Sequence, residues 1–285
     1  MMTRRLSEDQ SGVLPALARR WGRAAGGIAL LLGLSLSSTA VLAYNDLLPT
    51  SVQHVVDGLI PTDVSDLPHV AHSLATGGPL RIVAFGSSST EGIGASTPSA
   101  AYPVRLQAAL QQALPQSADR ITVANRGIGG EAVDDMLARL DRDVIAPHPD
   151  LVIWQTGSND PLRGVSLDHF RAATIAAVRQ IREAGIDVVL LEPQWCPKLD
   201  ATPGAYRFRD AVRQIGAELD VPVIRRSEMM QAWISEGKLI REQLFASDGL
   251  HMADRGYDLL GRAVAEAVLQ AAGYAPAVKV ASVRD

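Results

Sequence analysis

The stretch that organises this sequence reads Arg81-Ile82-Val83-Ala84-Phe85-Gly86-Ser87-Ser88-Ser89-Thr90-Glu91-Gly92. Its first half is a short apolar run that ends on a glycine, which is typical of a buried parallel strand. Its second half is a loop of small residues, rich in hydroxyl groups and free backbone amides. A serine at the carboxyl end of such a strand, on a tight turn into a helix, lies where α/β sheets place their chemistry. Taken alone, the loop is also consistent with an ordinary turn.

From residue 81 onward, strand-like and helix-like segments alternate. Apolar runs flanked by Gly, Pro, Asp or Asn predict strands at 81–86, 121–125, 151–156, 187–192 and 221–225. Helical patterns follow at 102–114, 133–144, 167–184, 206–219, 228–236 and 254–272. The segments predict one doubly wound α/β domain, a parallel sheet of about five strands with helices on both faces. The units are too few for a (β/α)₈ barrel.

Composition narrows the possible functions. The 285 residues are 47% hydrophobic and 20% charged, and a net charge of −4 argues against nucleic acid as a partner. The single cysteine, Cys196, excludes an internal disulfide. His69 and His72 have no partner at metal-site spacing and are interpreted as surface histidines. The glycine-rich segment 127–130 lacks the GxGxxG spacing of a dinucleotide site.

The first 80 residues differ from the rest of the chain. Residues 1–23 are rich in arginine, whereas the segment 24–43 is uncharged and apolar. This order predicts an exported, periplasmic or extracellular protein, in which 1–43 is a signal peptide cleaved after Ala43 or an uncleaved inner-membrane anchor through 24–43. Residues 44–80 are predicted as a linker or lead-in with a short helix around 70–75. The domain is predicted at 81–272, and 273–285 as a C-terminal tail.

Three more loops are predicted to place polar groups at the same edge of the sheet. The loop after the second strand contains three glycines, of which Gly130 is the last, and the loop after the third strand contains Asn159. Asp248 and His251 lie three residues apart before the last helix, so the carboxylate can orient the imidazole and leave Nε2 free as a base. Each loop taken singly also fits a turn or a helix cap.

Together the four loops contain the groups that acyl transfer needs. A nucleophilic hydroxyl requires a base, and the base requires an orienting carboxylate. The developing oxyanion requires donors fixed in advance, each worth about 2.7–4 kcal/mol. The chain order of serine, aspartate and histidine is one of several that convergent triads use. The serine loop is not GxSxG, so the nucleophile turn of the α/β-hydrolases is absent.

These loops resemble the four sequence blocks of the SGNH (GDSL-like) hydrolase family. Residues 86–92 resemble the block GDSxTxG. Of the three serines in this stretch, only Ser88 matches the serine of the block when its glycines and threonine are aligned. Residues 125–130, 157–160 and 248–251 resemble the second, third and fourth blocks, the last two written GxND and DxxH. The resemblance covers residues 81–272. It implies a three-layer α/β/α, flavodoxin-like fold and ester hydrolysis through an acyl-serine intermediate, without metal or cofactor.

The resemblance also implies roles for five residues. Ser88 is the expected nucleophile, His251 its base and Asp248 the orienting carboxylate. The backbone N–H groups of Ser88 and Gly130 and the side-chain amide of Asn159 are the expected oxyanion hole. One departure concerns position 87, where a serine stands in place of the usual aspartate. It bears on the hydrogen bonding that stiffens the nucleophile turn, and not on the catalytic positions.

The substrate is less defined by the sequence. Trp195 and Gln155 are candidate substrate contacts, although Trp195 also fits core packing. The compact chain has no long apolar insertion to serve as a lipid lid, which favours small acyl groups, such as acetyl, on glycans or small esters. An O-acyltransferase, a lysophospholipase or thioesterase, and a non-catalytic glycan-binding module are the alternatives.

Overall fold

The structure is a computed structural model, and it describes residues 67–274. The predicted signal peptide or anchor lies outside the described residues, as do 44–66 of the lead-in and most of the tail. Within residues 67–274, no helix combines the length and apolar character that crossing a membrane requires.

Five parallel strands form a single sheet in the described part of the chain. They are β1 (Leu80–Gly86), β2 (Ile121–Gly127), β3 (Leu151–Gln155), β4 (Asp187–Leu191) and β5 (Val223–Ile224). Their order is β2-β1-β3-β4-β5, and every neighbouring pair is parallel. This is the flavodoxin-like doubly wound order, in which ligands bind between the carboxyl ends of β1 and β3. The predicted α/β/α fold is confirmed.

Helices cover both faces of the sheet. In chain order the α-helices among residues 67–274 are α1 (Pro68–Thr76), α2 (Ser88–Glu91), α3 (Tyr102–Ala113), α4 (Val133–Leu137), α5 (Leu167–Glu183), α6 (Pro197–Asp200), α7 (Ala205–Leu219), α8 (Arg226–Ser235), α9 (Arg241–Leu244) and α10 (Asp254–Ala271). Helices α1, α3, α8 and α10 contribute to the core on one face, and α4, α5 and α7 to the core on the other.

Strand β1 shows why the sequence pattern was informative. Ile82 and Ala84 face the first core, and Val83 and Phe85 face the second. Side chains alternate across a strand, so a strand covered on both faces must be apolar at successive positions. The resulting continuous apolar run is what predicted this strand.

One helix differs from the prediction. The segment 133–144 was expected to be continuous, but α4 ends at Leu137 and a π-helical turn follows at Asp141–Ile145. Between them Arg139 is buried against the end of the sheet and bonds Asp143 inside that turn. Single π-helical turns are often found near functional sites. Here the irregular segment accommodates an inward-pointing arginine.

Candidate active site

The nucleophile turn joins β1 directly to α2. Strand β1 ends at Gly86, and Ser88 is the first residue of α2, where 9% of its surface remains exposed. A Cβ atom at Gly86 would lie 2.9 Å from the backbone oxygen of Gln155, so glycine is required by the close approach of β3. The Ser87 carbonyl accepts hydrogen bonds from the N–H groups of Thr90 and Glu91, which closes the turn.

Three of the predicted residues form a hydrogen-bonded row. The His251 Nε2 atom lies 2.8 Å from the Ser88 Oγ, and the His251 Nδ1 atom lies 2.5 Å from Asp248 Oδ2. A carboxylate only accepts, so Nδ1 carries the hydrogen and Nε2 is left to accept the Ser88 hydroxyl proton. The second oxygen of Asp248 accepts the backbone N–H groups of Leu250 and His251, both at 2.9 Å. This is the geometry that an activated serine requires.

The hydrogen bonds around Asp248 favour its ionised form. Partial burial alone would raise the pKa of this carboxyl, but the bonds from the His251 ring and from the two backbone N–H groups outweigh it. The pKa of Asp248 is lowered to about 2. Because 46% of its side chain is exposed, solvent screens part of this interaction.

The lowered pKa of Asp248 predicts a pH dependence of stability. A carboxyl whose pKa is lower in the folded protein stabilises the fold above its unfolded pKa, about 3.9, and loses that contribution as the pH falls below it. We therefore expect the difference in unfolding free energy between the wild type and Asp248→Asn to shrink as the pH falls from about 5 toward 2. Urea unfolding at several pH values measures this difference, and a pH-independent difference would contradict it.

The predicted oxyanion donors lie on loops beside the serine. Gly130 follows β2 with a φ of 78°, a backbone conformation that favours glycine. A Cβ at its neighbour Gly129 would lie 3.8 Å from the Ser88 Cβ, so this loop passes next to the nucleophile turn. The Asn159 side-chain amide donates to the Glu131 carbonyl at 2.9 Å, using one of its two hydrogens. The second hydrogen can serve a bound oxyanion.

A buried arginine that sequence reasoning missed ties these loops together. The side chain of Arg139 is 5% exposed and forms ion pairs with Glu131 at 2.7 Å and Asp143 at 2.9 Å. Its remaining N–H groups donate to the backbone carbonyls of Gly86 and Arg126, both at 2.9 Å. Arg139 therefore joins the end of the nucleophile strand to both ends of the glycine loop. An arginine in a helical pattern carries no sequence signal of burial.

Gln155 is not where the prediction placed it. It was expected to contact substrate, but its side chain is fully buried. Its Oε1 atom accepts hydrogen bonds from the Ser87 N–H, the Ser87 hydroxyl and the Thr90 hydroxyl at 3.0–3.2 Å. The substrate-contact role is corrected because all of these partners lie inside the protein. Gln155 supports the nucleophile turn through these hydrogen bonds from the protein interior.

Trp195 packs against other side chains of the protein. Its ring centroid lies 5.6 Å from that of Phe245, and the Arg241 guanidinium lies 5.2 Å from the Trp195 ring. The ring is partly buried against the core. The packing role that the sequence left open is therefore present, and a contact between Trp195 and substrate stays a prediction.

Two histidines outside the site, His69 and His72, lie at the opposite end of the sheet. His69 and His72 are both exposed on α1, whose first N–H groups bond the Asp187 carboxylate at the start of β4. Burial raises the pKa of that carboxyl. Among residues 67–274, no three or more His, Cys, Asp or Glu side chains form a group that could hold a metal ion.

Comparison with known proteins gives matches across this domain. The model of the Non-GDSL lipase-like family matches residues 55–274. An arylesterase from Vibrio mimicus is 24% identical over 161 residues, which are 56% of this chain and 76% of the relative. An acetylxylan esterase from Geobacillus stearothermophilus is 28% identical over 156 residues, 50% of this chain and 70% of the relative. The crystal structure of a lipase/acylhydrolase from Enterococcus faecalis superposes with a TM-score of 0.56 at 25% identity, covering 69% of this chain and 98% of that one.

Proposed function

Because this chain belongs to the Non-GDSL lipase-like family and is an ester-bond hydrolase, we propose that it cleaves carboxylic esters through an acyl-serine intermediate on Ser88. The family match agrees with the resemblance to SGNH (GDSL-like) hydrolases that the four loops indicated. The observation that carries the proposal is the row from Asp248 through His251 to the Ser88 hydroxyl, with 2.8 Å between the base and the nucleophile.

The reaction proceeds in two halves. In the first, His251 Nε2 takes the Ser88 proton while Oγ bonds to the ester carbonyl carbon. The tetrahedral intermediate then expels the alcohol, which receives the proton from His251, and an acyl ester remains on Ser88. In the second, His251 takes a proton from water as the water oxygen attacks this acyl group. The carboxylic acid leaves, and Ser88 regains its hydroxyl proton.

The oxyanion of each intermediate is held by the Ser88 and Gly130 N–H groups and the Asn159 amide. Such donors act best when the protein fixes them before the reaction. The bond from Asn159 to Glu131 and the Arg139 ion pair with the same residue support this preorganisation. The loop that carries Gly130 is thereby attached to the loop after β3 and to the end of β1.

Small acyl groups, acetyl above all, on glycans or small esters are the proposed substrates. Similarity to an acetylxylan esterase and an arylesterase supports this class. Nearly half of the Asp248 side chain is exposed, and Ser88 and His251 each keep 9% of their surface exposed, which suits substrates reached from solvent. The arginine-rich start and the apolar segment 24–43 support an exported location, with that segment as signal peptide or membrane anchor.

We expect the rate of hydrolysis to fall with acyl length beyond acetate or butyrate. The test uses residues 44–285, which include the whole family match, and p-nitrophenyl esters of increasing chain length. Ser88→Ala is the control for turnover that does not depend on the serine. A maximum at long chains would indicate a lipid substrate and contradict the acetyl assignment. Ester consumption that rises with an added sugar acceptor, while less free acid forms, would instead indicate an O-acyltransferase.

A further inference from the structure

A chain of buried side-chain hydrogen bonds runs behind the nucleophile turn and joins the loops after β1, β3 and β4 to the loop that carries His251. Its members, each at most 3% exposed, are Ser87, Thr90, Gln155, Ser158, Gln194 and Arg226. They come from four separate parts of the sequence: the nucleophile turn with Ser87 and Thr90, the end of β3 and its loop with Gln155 and Ser158, and two more distant positions with Gln194 and Arg226.

Gln155 is the member that contacts the nucleophile turn. Its Oε1 atom accepts the Ser87 N–H at 3.0 Å, the Ser87 hydroxyl at 3.1 Å and the Thr90 hydroxyl at 3.2 Å. These donors lie immediately before Ser88 and two residues after it. A buried backbone N–H needs an acceptor, and a serine side chain at position 87 uses its own hydroxyl as a further donor. Gln155 thus supplies the acceptor oxygen that this turn requires.

Gln194 extends this series of hydrogen bonds to the loop that contains His251. The Gln155 Nε2 donates to the Ser158 hydroxyl at 3.1 Å, and that hydroxyl donates to Gln194 Oε1 at 3.0 Å. The Gln194 Nε2 in turn donates to the Leu250 carbonyl at 3.3 Å, directly before His251. The buried Arg226 donates to the same Gln194 oxygen at 2.6 Å.

The donors at both ends fix the orientation of the two amides. The Ser87 N–H and the Arg226 guanidinium can only donate, so both glutamines must turn their oxygens toward these groups. Their NH₂ groups then point to Ser158 and to the Leu250 carbonyl, and every hydrogen bond in the series has one possible direction. The oxygen and the nitrogen of both amides are thereby hydrogen-bonded, and buried polar groups that are satisfied in this way favour a single arrangement over its alternatives.

We propose that Gln155 and Gln194 are positioning residues that hold the Ser88 hydroxyl and the His251 ring at reacting distance. The proposal rests on the proposed function, since it assumes Ser88 as nucleophile and His251 as base. In this turn serine replaces the usual aspartate at position 87, and Gln155 supplies the hydrogen-bond acceptor that stiffens the turn. Loss of either amide would let the two loops move relative to each other without removing any catalytic group.

The test compares two substitutions at position 155. Gln155→Met has a similar length but no acceptor, and we expect kcat for p-nitrophenyl acetate to fall about 100-fold with little change in KM. Gln155→Glu keeps an oxygen facing Ser87 and is expected to recover most of that loss. The rate of Ser88 labelling by a reactive phosphonate should follow kcat, because labelling needs the same activated hydroxyl. Both are measured on the full chain at a temperature where circular dichroism shows it folded.

The outcomes separate positioning from a merely structural role. A lowered melting temperature with unchanged kcat and labelling rate in folded Gln155→Met would overturn the proposal. If Gln155→Met does not fold, folded Gln194→Met decides: its kcat and labelling rate should both fall, and unchanged values would overturn the proposal. If Ser88→Ala is inactive but Gln155→Met keeps the wild-type kcat, the positioning role of Gln155 is wrong and the proposed function stands. Activity retained by Ser88→Ala would instead overturn the proposed function itself.

Discussion

Replacing Ser88 with alanine is expected to lower kcat toward ester substrates by on the order of 10⁴ to 10⁶, as loss of a triad nucleophile does in serine hydrolases. The alanine variant has no oxygen to attack the carbonyl, and His251 then has no hydroxyl to deprotonate. The oxyanion donors and the binding surface remain, so a small residual rate above that of water is expected. The fold should persist because the change removes a single oxygen atom, whose side-chain hydrogen bond is to His251 within the site.

Ser89→Ala is the matched control. Ser89 is adjacent, is buried and loses the same oxygen atom, but it lies out of register with the block that Ser88 satisfies. We expect this variant to keep most of the wild-type activity. Rates are measured with p-nitrophenyl acetate, and unfolding curves show whether each variant is folded. An inactive Ser89→Ala beside an active Ser88→Ala would move the nucleophile by one residue and contradict the site described here.

Replacing Arg139 with methionine is expected to lower the free energy of unfolding by about 3–5 kcal/mol, the usual cost of removing one partner from a buried ion pair. The Glu131 and Asp143 carboxylates would lose their guanidinium, and the carbonyls of Gly86 and Arg126 would lose a donor. The pKa of Asp143, lowered to about 2 by hydrogen bonds from Arg142 and Arg139, should rise toward its usual range. Activity should also fall, because the Gly130 loop loses its side-chain attachment to the end of β1 and keeps only the backbone bond from Ile128 to Gly86.

The neighbouring Arg142 offers a matched control for this experiment. It also bonds Asp143, but its side chain is 70% exposed. Solvent screens exposed ion pairs, so we expect Arg142→Met to change stability little. Urea unfolding of the two variants beside the wild type measures the difference. Equal losses for Arg139→Met and Arg142→Met would contradict the role given to the buried arginine.

The sheet could be predicted from the sequence because its strands are apolar on both faces. The predicted starts of β2, β3 and β4 agree with the structure, since Gly, Pro or Asp interrupts the apolar runs there. Strand β5 is shorter than the predicted 221–225, because it pairs only at Val223 and Ile224 along β4. The short helices α6 and α9 were not predicted, since a single turn has no measurable periodicity.

The catalytic loops could be placed because parallel strands end at one edge of the sheet. Ser88, His251 and Asp248 are brought together as expected, and Asn159 lies on the neighbouring loop. The supporting residues could not be found in this way. Gln155 and Ser87 are 68 positions apart, and their bond depends on which side of β3 the glutamine faces. Arg139 was hidden for a similar reason, since a helical pattern does not show that an arginine turns inward.

The most direct test of the central claim is to identify the residue that becomes acylated. The protein is mixed with p-nitrophenyl acetate and quenched in acid within a few turnovers, and its peptides are analysed by mass spectrometry. We predict an acetyl group on Ser88 in the peptide that contains residues 86–92. An acetyl group on another residue, or rapid hydrolysis by a protein whose Ser88 is never acylated, would contradict the account.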